Sequence, residues 1–404
     1  MRSAPPLDPA LFDLPPEVTW VMHCAEGPVP RASVAAAQAT LEGELRPWAI
    51  GLAEWLGLPG RVKAAAAALL GGTADDYSLC GSTSGGLTVI AQAYPWAAGD
   101  EIVVPLGEFP TNYWPWRALA PRGVTVREVP LWPGHRAGRD ALAGAPPPPD
   151  LDAEAALLGA LGPRTRLLAV SWVRFQDGLR LDLGRLAAGC AGRADLVVDG
   201  IQGAGTLPVD VGGLAAFATG VHKGLLSPQG TGLLFTAPAF RARLQPRGSW
   251  LSVEDGADFS RPSTDFDRAW LPDGRRFEQG GHGNLALAAV EPTLRLLAAA
   301  RPARIAAHVD ALQARLLDGL RATPWAADAA RVDALRAAGR LGAITALHHG
   351  GRGAGILPPL LRDGMARRIY ASAREGYLRL ALHGWHDEAA VDRLVDWLRA
   401  APPA

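Results

Sequence analysis

The sequence predicts an α/β fold, and three observations carry that reading. Short apolar runs recur, among them "DEIVVPLGEF", "GVTVREVPLW", "TRLLAVSWV", "ADLVVDGIQ" and "GTGLLFTAP", each bounded by turn residues. Alanine- and leucine-rich stretches of helical pattern separate them, the order expected of a mostly parallel sheet buried on both faces and flanked by helices. Asp199 closes one of these runs, "ADLVVD", at the strand end where sheets of this class collect their ligands.

At 404 residues the chain exceeds the roughly 250–300 at which a single core stops growing, so a larger and a smaller domain are expected. Residues 1–30 are proline-rich and read as an extended arm ending in the turn-like "AEGPVP". Residues 31–285 hold the sheet-forming runs and read as the larger domain. Within them "GHRAGRDALAGAPPPPD" breaks the rhythm, because its proline run is neither helix nor central strand, and it reads as a surface excursion. Past "RFEQGGHGN" the pattern turns long and helical and then mixes helices with short strands, so residues 286–404 read as a smaller α+β domain.

Charge and cysteine content narrow the function classes. The 40 basic and 40 acidic residues cancel to a net charge of +0, which leaves no electrostatic footprint for nucleic acid or an anionic membrane. Cys24, Cys80 and Cys190 are odd in number and lack CxxC spacing, so neither a disulfide framework nor a zinc site is expected. The nine histidines lack His-Glu-x-x-His spacing. The His348-His349 pair would diverge on a strand, so no metal is expected there either. The first residues lack a signal-peptide pattern and no apolar run is long enough to span a bilayer, so a soluble protein of a reducing cytoplasm is expected.

The chemistry concentrates in "VDGIQGAGTLPVD" and "ATGVHKGLLSPQG". Lys223 lies among glycine and apolar residues, where an ammonium is expensive unless paired or neutralised. Asp199 ends a buried run and could hold a protonated ring nitrogen charged, or could equally cap a helix. Gln202 could donate to a phenolic oxygen or be a satisfied loop amide. In "LCGSTSGGLTVIAQA" the hydroxyls of Ser82 and Thr83 and the free backbone N–H groups before a helix suit a phosphate. Neither G-x-G-x-x-G nor a following Lys-Ser or Lys-Thr is present, so this is no dinucleotide or P-loop site.

With these residues in view, the sequence resembles the class V aminotransferase-like family of pyridoxal phosphate enzymes of fold type I, which includes cysteine desulfurases and isopenicillin epimerase-like proteins. The blocks that carry the resemblance are "GDEIVVPLGEFPTNYWPW", "LLAVSWVRFQDGLRLDL", "VDGIQGAGTLPVDV" and "VHKGLLSPQGTGLLF". It implies pyridoxal 5′-phosphate as cofactor, with Lys223 as the Schiff-base lysine, Asp199 at the pyridine nitrogen and Gln202 at the phenolic oxygen. Ser82, Thr83 and His222 are implied at the phosphate, and Phe109 where the family stacks a His or Phe ring on the cofactor. Arg379 in "YLRLAL" stands where the family grips the substrate carboxylate, a task that suits a guanidinium fork. Arg374 could add a contact to an acidic or extended substrate, or be an exposed loop arginine.

Two positions depart from the family. A phosphate-binding serine is replaced by Gly220, with Thr219 beside it as a substitute. A threonine lent by the neighbouring subunit falls near Gly281, where His282 or Asn284 could compensate. The loop before Arg379, "RRIYASAREGYLRL", holds no cysteine, which argues against a desulfurase of the usual mechanism. Among the remaining reactions that begin with α-proton removal, an aminotransferase is expected, with an epimerase or a β- or γ-elimination lyase as alternatives. A cofactor-binding regulatory protein without activity is a further alternative, distinguishable by spectral response to amino acids. The resemblance also implies a homodimer, and the thirteen tryptophans suit either an aromatic contact or the core.

Overall fold

A computed structural model describes residues 4–348 and 354–400. In chain order the elements begin with β1 (Thr19–Trp20), α1 (Arg31–Glu44), α2 (Leu52–Leu70), β2 (Tyr77–Cys80), α3 (Thr83–Ala93), β3 (Glu101–Pro105), α4 (Trp114–Arg117), β4 (Thr125–Val129), α5 (Ala153–Gly159), β5 (Thr165–Ser171), α6 (Leu183–Cys190) and β6 (Asp195–Asp199). Then come β7 (Ala216–Gly220), β8 (Gly232–Thr236), α7 (Pro238–Arg241), α8 (Asn284–Ala300), α9 (Pro302–Gly319), α10 (Ala326–Ala337), β9 (Ile344–His348), α11 (Leu357–Ala366), β10 (Ile369–Tyr370), β11 (Ser372–Arg374), β12 (Tyr377–Ala381) and α12 (Glu388–Arg399).

Seven strands form one sheet in the order β2-β8-β7-β6-β5-β3-β4. Neighbours are parallel from β7 through β4, and β8 alone runs against both its neighbours. The middle strands are apolar on both faces, and alternate residues enter different cores. Val103, Leu168, Val170, Val198 and Phe217 join one cluster, while Ile102, Val104, Leu167, Ala169 and Val197 join the other. A sheet covered on both sides is what the near-continuous apolar runs required.

A second, antiparallel sheet of order β11-β12-β9 lies in the C-terminal part, with α10 against β9 and α11 against β11. The N-terminal segment closes onto it: β1 pairs with β10, and Met22 bridges Ala381 at the end of β12. The cluster that begins on one face of the large sheet continues through Leu294, Ile305, Leu316 and Trp397, so the two sheets share a continuous apolar core. Among the described residues no helix is long and apolar enough to cross a membrane.

Candidate active site

Strand direction decides where the polar side chains meet. Every strand of the large sheet except β8 ends at the same edge, and the segments leaving that edge carry the residues singled out above. β2 leads to Ser82 and Thr83, β3 to Glu108 and Phe109, β6 to Asp199 and Gln202, and β7 to His222 and Lys223. Register fixes the level, since Ser171 pairs with Asp199 and Asp199 with Ala218.

Asp199 is 3% exposed, and Ile201 N donates to its Oδ1 at 3.0 Å. Burial pushes its carboxyl up to about 7, against the pull of that N–H and of the Lys223 ammonium, with the Glu108 charge adding to the rise. Lys223 in turn is lowered, by burial first, while Asp199 and Cys24 oppose the shift. Its ammonium stands 5.5 Å from the centre of the Phe109 ring, which is 37% exposed and meets Phe175 edge-on at 5.0 Å. Burial and the nearby ammonium also hold the half-buried His222 imidazole below its ordinary value.

The phosphate candidates sit at the start of α3. Ser82 caps the helix, its Oγ accepting from Gly85 N at 3.1 Å, and Thr83 Oγ1 accepts from Gly220 N at 2.7 Å. Both hydroxyl protons stay available for donation, because each oxygen acts there as acceptor. Gly220 has a steric reason to be glycine: a Cβ there would lie 3.1 Å from Ile201 and 3.3 Å from the His222 ring. Thr219 does not substitute for a serine at that position, because its buried hydroxyl donates to Gly220 O at 2.9 Å. At the other departure His282 Nε2 lies 3.2 Å from Glu278 and Asn284 Nδ2 donates to Trp55 O, so neither side chain is uncommitted. His282 also lines, with Ser84, Thr88, Gln92, Thr231 and Gln279, a cavity of about 480 Å³ against the first turn of α3.

The N-terminal segment completes the site, a contribution the sequence reading did not anticipate. Gly27 N donates to His222 O at 2.7 Å, and a Cβ on Gly27 would fall 2.3 Å from Lys223 O, so only glycine allows this approach. Three residues earlier Cys24 O accepts from Gln202 Nε2 at 2.9 Å, leaving the buried Gln202 Oε1 without a partner. The Cys24 Sγ lies 3.7 Å from Ser372 Oγ, and Ser372 is paired across the hairpin with Arg379. Arg379 is buried, donates from Nη1 to Phe175 O at 2.8 Å and leaves its Nε unpartnered. Sequence separation hid Cys24, 348 residues from Ser372.

Glu108 was also missed. It is half-buried beside Phe109, accepts from the Ser171 N–H and hydroxyl, and is raised by burial. Its only signal was adjacency to Phe109 in "GEFPTN". Of the histidine pair weighed as a metal site, His349 lies outside the described residues, and no cluster among the described residues could hold a metal ion.

The family profile described as aminotransferase class-V matches residues 62–339. The chain belongs to the class-V aminotransferase family. Its cofactor is accordingly pyridoxal phosphate, and the residues fit it: a buried carboxylate with one backbone partner lacks just what a protonated ring nitrogen supplies. A probable cysteine desulfurase of Methanothermobacter thermautotrophicus is 30% identical over 200 residues, 47% of this chain and 46% of that protein. The isopenicillin N epimerase of Streptomyces clavuligerus is 30% identical over 247 residues, 59% of this chain and 58% of the epimerase. The matches thus span about half the length of these curated relatives. The class-V fold extends over nearly the whole chain. A solved complex of the cystine C-S lyase C-DES with its product cysteine persulfide superimposes with a TM-score of 0.77 at 22% identity, covering 98% of this chain and 100% of that one. A cysteine desulfurase from Thermococcus onnurineus gives a TM-score of 0.75 at 19% identity, with 98% of each chain covered.

Proposed function

We propose that this class-V enzyme is an aminotransferase acting on an amino acid whose carboxylate is gripped by Arg379. Lys223 carries the cofactor and moves the α-proton. Asp199 holds the ring nitrogen charged, Gln202 directs its second N–H to the phenolic oxygen, and Phe109 supports the ring. Ser82, Thr83 and His222 serve the phosphate, helped by the backbone N–H groups that open α3. Bound pyridoxal phosphate supplies the electron sink for the negative charge left at the α-carbon.

The observation that carries this reading is the placement of Lys223 over the face of Phe109, 5.5 Å from its centre. A ring packed on Phe109 would have hydrocarbon against one face and the lysine as the near amine on the other. A lysine lowered by burial removes a proton readily and can return it only from its own side. Transamination asks for that, whereas inversion asks for a second proton-moving group opposite. A lyase reading rests on a different observation, the Cys24 thiol beside Ser372 and Arg379, together with relatives named for C–S chemistry.

Lys223→Ala separates the possibilities when compared with the wild type across L- and D-amino acids. The wild-type protein is expected to show a visible absorption band that the variant lacks, and to lose it with one amino acid until a keto acid restores it. Release of ammonia or sulfide with spontaneous recovery of the band would favour the lyase. A colourless wild type that cofactor cannot reconstitute would overturn the proposal.

The assembly is part of the same proposal: the functional unit is a homodimer. Trp48, Trp114, Phe259 and Phe266 are all more than half exposed, and Trp250 and Trp270 nearly so. Exposed aromatics of this size, four of them lining one groove, support the dimer reading.

A further inference from the structure

The hairpin β11–β12 presents two arginines, and only one has been given a task. Its register pairs Ser372 with Arg379 and Arg374 with Tyr377, closing on Glu375 and Gly376 with φ of 48° and 85°. Positive φ at both central residues is the geometry of a tight type I′ turn, which fixes the register and hence the faces. Residues two apart on a strand share a face, and so do paired residues across strands. Ser372, Arg374, Tyr377 and Arg379 therefore point the same way.

That way is toward the large sheet. Ser372 meets Cys24, Arg379 donates to Phe175 O, and Tyr377 lines a small cavity with Trp132, Arg174 and Gln176. Arg374 stands on the same face at the sheet edge, exposed, diagonal to Arg379. Diagonal neighbours lie roughly 7–8 Å apart, within reach of long side chains converging on one small ligand. Among the described residues the Arg374 guanidinium donates one hydrogen bond, to the carbonyl of Ala373 at 3.3 Å, and no carboxylate forms an ion pair with it. Of the acids at this end of the hairpin, Asp177 is paired with Arg174, while Glu375, next to Arg374 in the turn, lines the same small cavity as Tyr377. Two like charges on one face repel, and the Arg374 charge bears on Arg379 in that sense. A ligand with two negative groups would relieve that repulsion.

We propose that the substrate is a dicarboxylic amino acid, with Arg379 on the α-carboxylate and Arg374 on the side-chain carboxylate. This rests on the amino acid chemistry proposed above and names the substrate class for it. The guanidinium fork of Arg374 accepts a carboxylate through two parallel hydrogen bonds, which a single charge on a flexible stem does not reproduce.

The test compares wild type, Arg374→Gln and Arg374→Lys as holoenzymes. The ratio of kcat/KM for L-glutamate over L-alanine is expected to favour glutamate in the wild type, to fall about ten- to a hundredfold in Arg374→Gln and to recover partly in Arg374→Lys. Glutarate and acetate binding, followed by calorimetry, gives a readout independent of turnover: Arg374→Gln is expected to weaken glutarate selectively. A wild type that prefers alanine, a ratio that survives Arg374→Gln, or equal loss toward both ligands would overturn the proposal. If no amino acid is turned over, the aminotransferase reading fails by itself, and glutarate against acetate still decides the role of Arg374.

Discussion

Asp199 is a carboxyl group buried at the end of a strand with one backbone hydrogen bond, and in the absence of cofactor nothing on the protein neutralises it fully. An unfolded Asp titrates near 3.9. Raised to about 7 in the folded protein, it binds its proton more tightly folded than unfolded, so its contribution favours the folded state at low pH and is lost as pH rises toward 7. The loss amounts to about 4 kcal/mol at most for the cofactor-free protein. His383 and His386, lowered by burial to about 3 and about 4, act in the opposite sense below their ordinary values. The comparison is therefore between cofactor-free wild type and Asp199→Asn, by chemical denaturation from pH 4 to pH 8. The stability of wild type relative to the variant is expected to decline across that range, and a constant difference would mean Asp199 is not held up. Residues of this kind were legible in the sequence because a charged or amide side chain inside an apolar run is conspicuous. Cys24 and Glu108 were not, because a cysteine is unremarkable in apolar company and a glutamate beside an aromatic has no local signature.

At the scale of elements, the site is built from strand ends, and its precision depends on what fastens the segments leaving them. Glu278 fastens three at once: Lys63 Nζ of α2 lies 3.2 Å away, Leu79 N of β2 donates at 3.0 Å, and His282 Nε2 lies at 3.2 Å. Both members of the Lys63–Glu278 pair are buried, with side chains 8% and 5% exposed. Removing one partner leaves a desolvated charge and an unmatched N–H, so Glu278→Ala is expected to cost about 3–5 kcal/mol in unfolding free energy. Because Leu79 directs β2 into the Ser82–Thr83 turn, cofactor affinity is expected to weaken as well, and a variant with wild-type stability and affinity would refute this fastening role. The strands themselves could be read in advance, since β5 and β6 are built on the apolar runs Leu167–Val170 and Leu196–Val198. The reversed direction of β8 could not, because its "GLLFT" is apolar like the parallel strands of the sheet. The pairing of β1 with β10 was equally hidden: a two-residue strand in a proline-rich arm carries no periodicity.

For the whole molecule, the distribution of aromatic side chains is the quantity that needs an explanation. Trp116, Trp325 and Trp397 are buried as core residues ordinarily are. Trp55 and Trp250 instead stack at 6.4 Å, and Phe259 meets Trp250 at 6.0 Å, joining the start of α2 to the segment that precedes α8. A groove of about 630 Å³ opens there, lined by Trp250, Phe259, Phe266 and Trp270. Phe266 is 87% exposed and Trp48 81%, so neither contributes appreciably to the stability of a single chain. On the proposed dimer, charged substitutions there act on assembly, because neither side chain packs into the core of one chain. Trp48→Asp/Phe266→Asp is expected to stay folded, with an unfolding midpoint that no longer depends on protein concentration, while sedimenting as a monomer at concentrations where wild type sediments as a dimer. Gly220 and Gly281 offer no side chain to a phosphate, so on the proposed dimer the monomeric variant is also expected to bind pyridoxal phosphate at least about tenfold more weakly. A wild type that is monomeric at micromolar concentration and still holds its cofactor would place the whole site within one chain, and the exposed aromatics would then need a different partner.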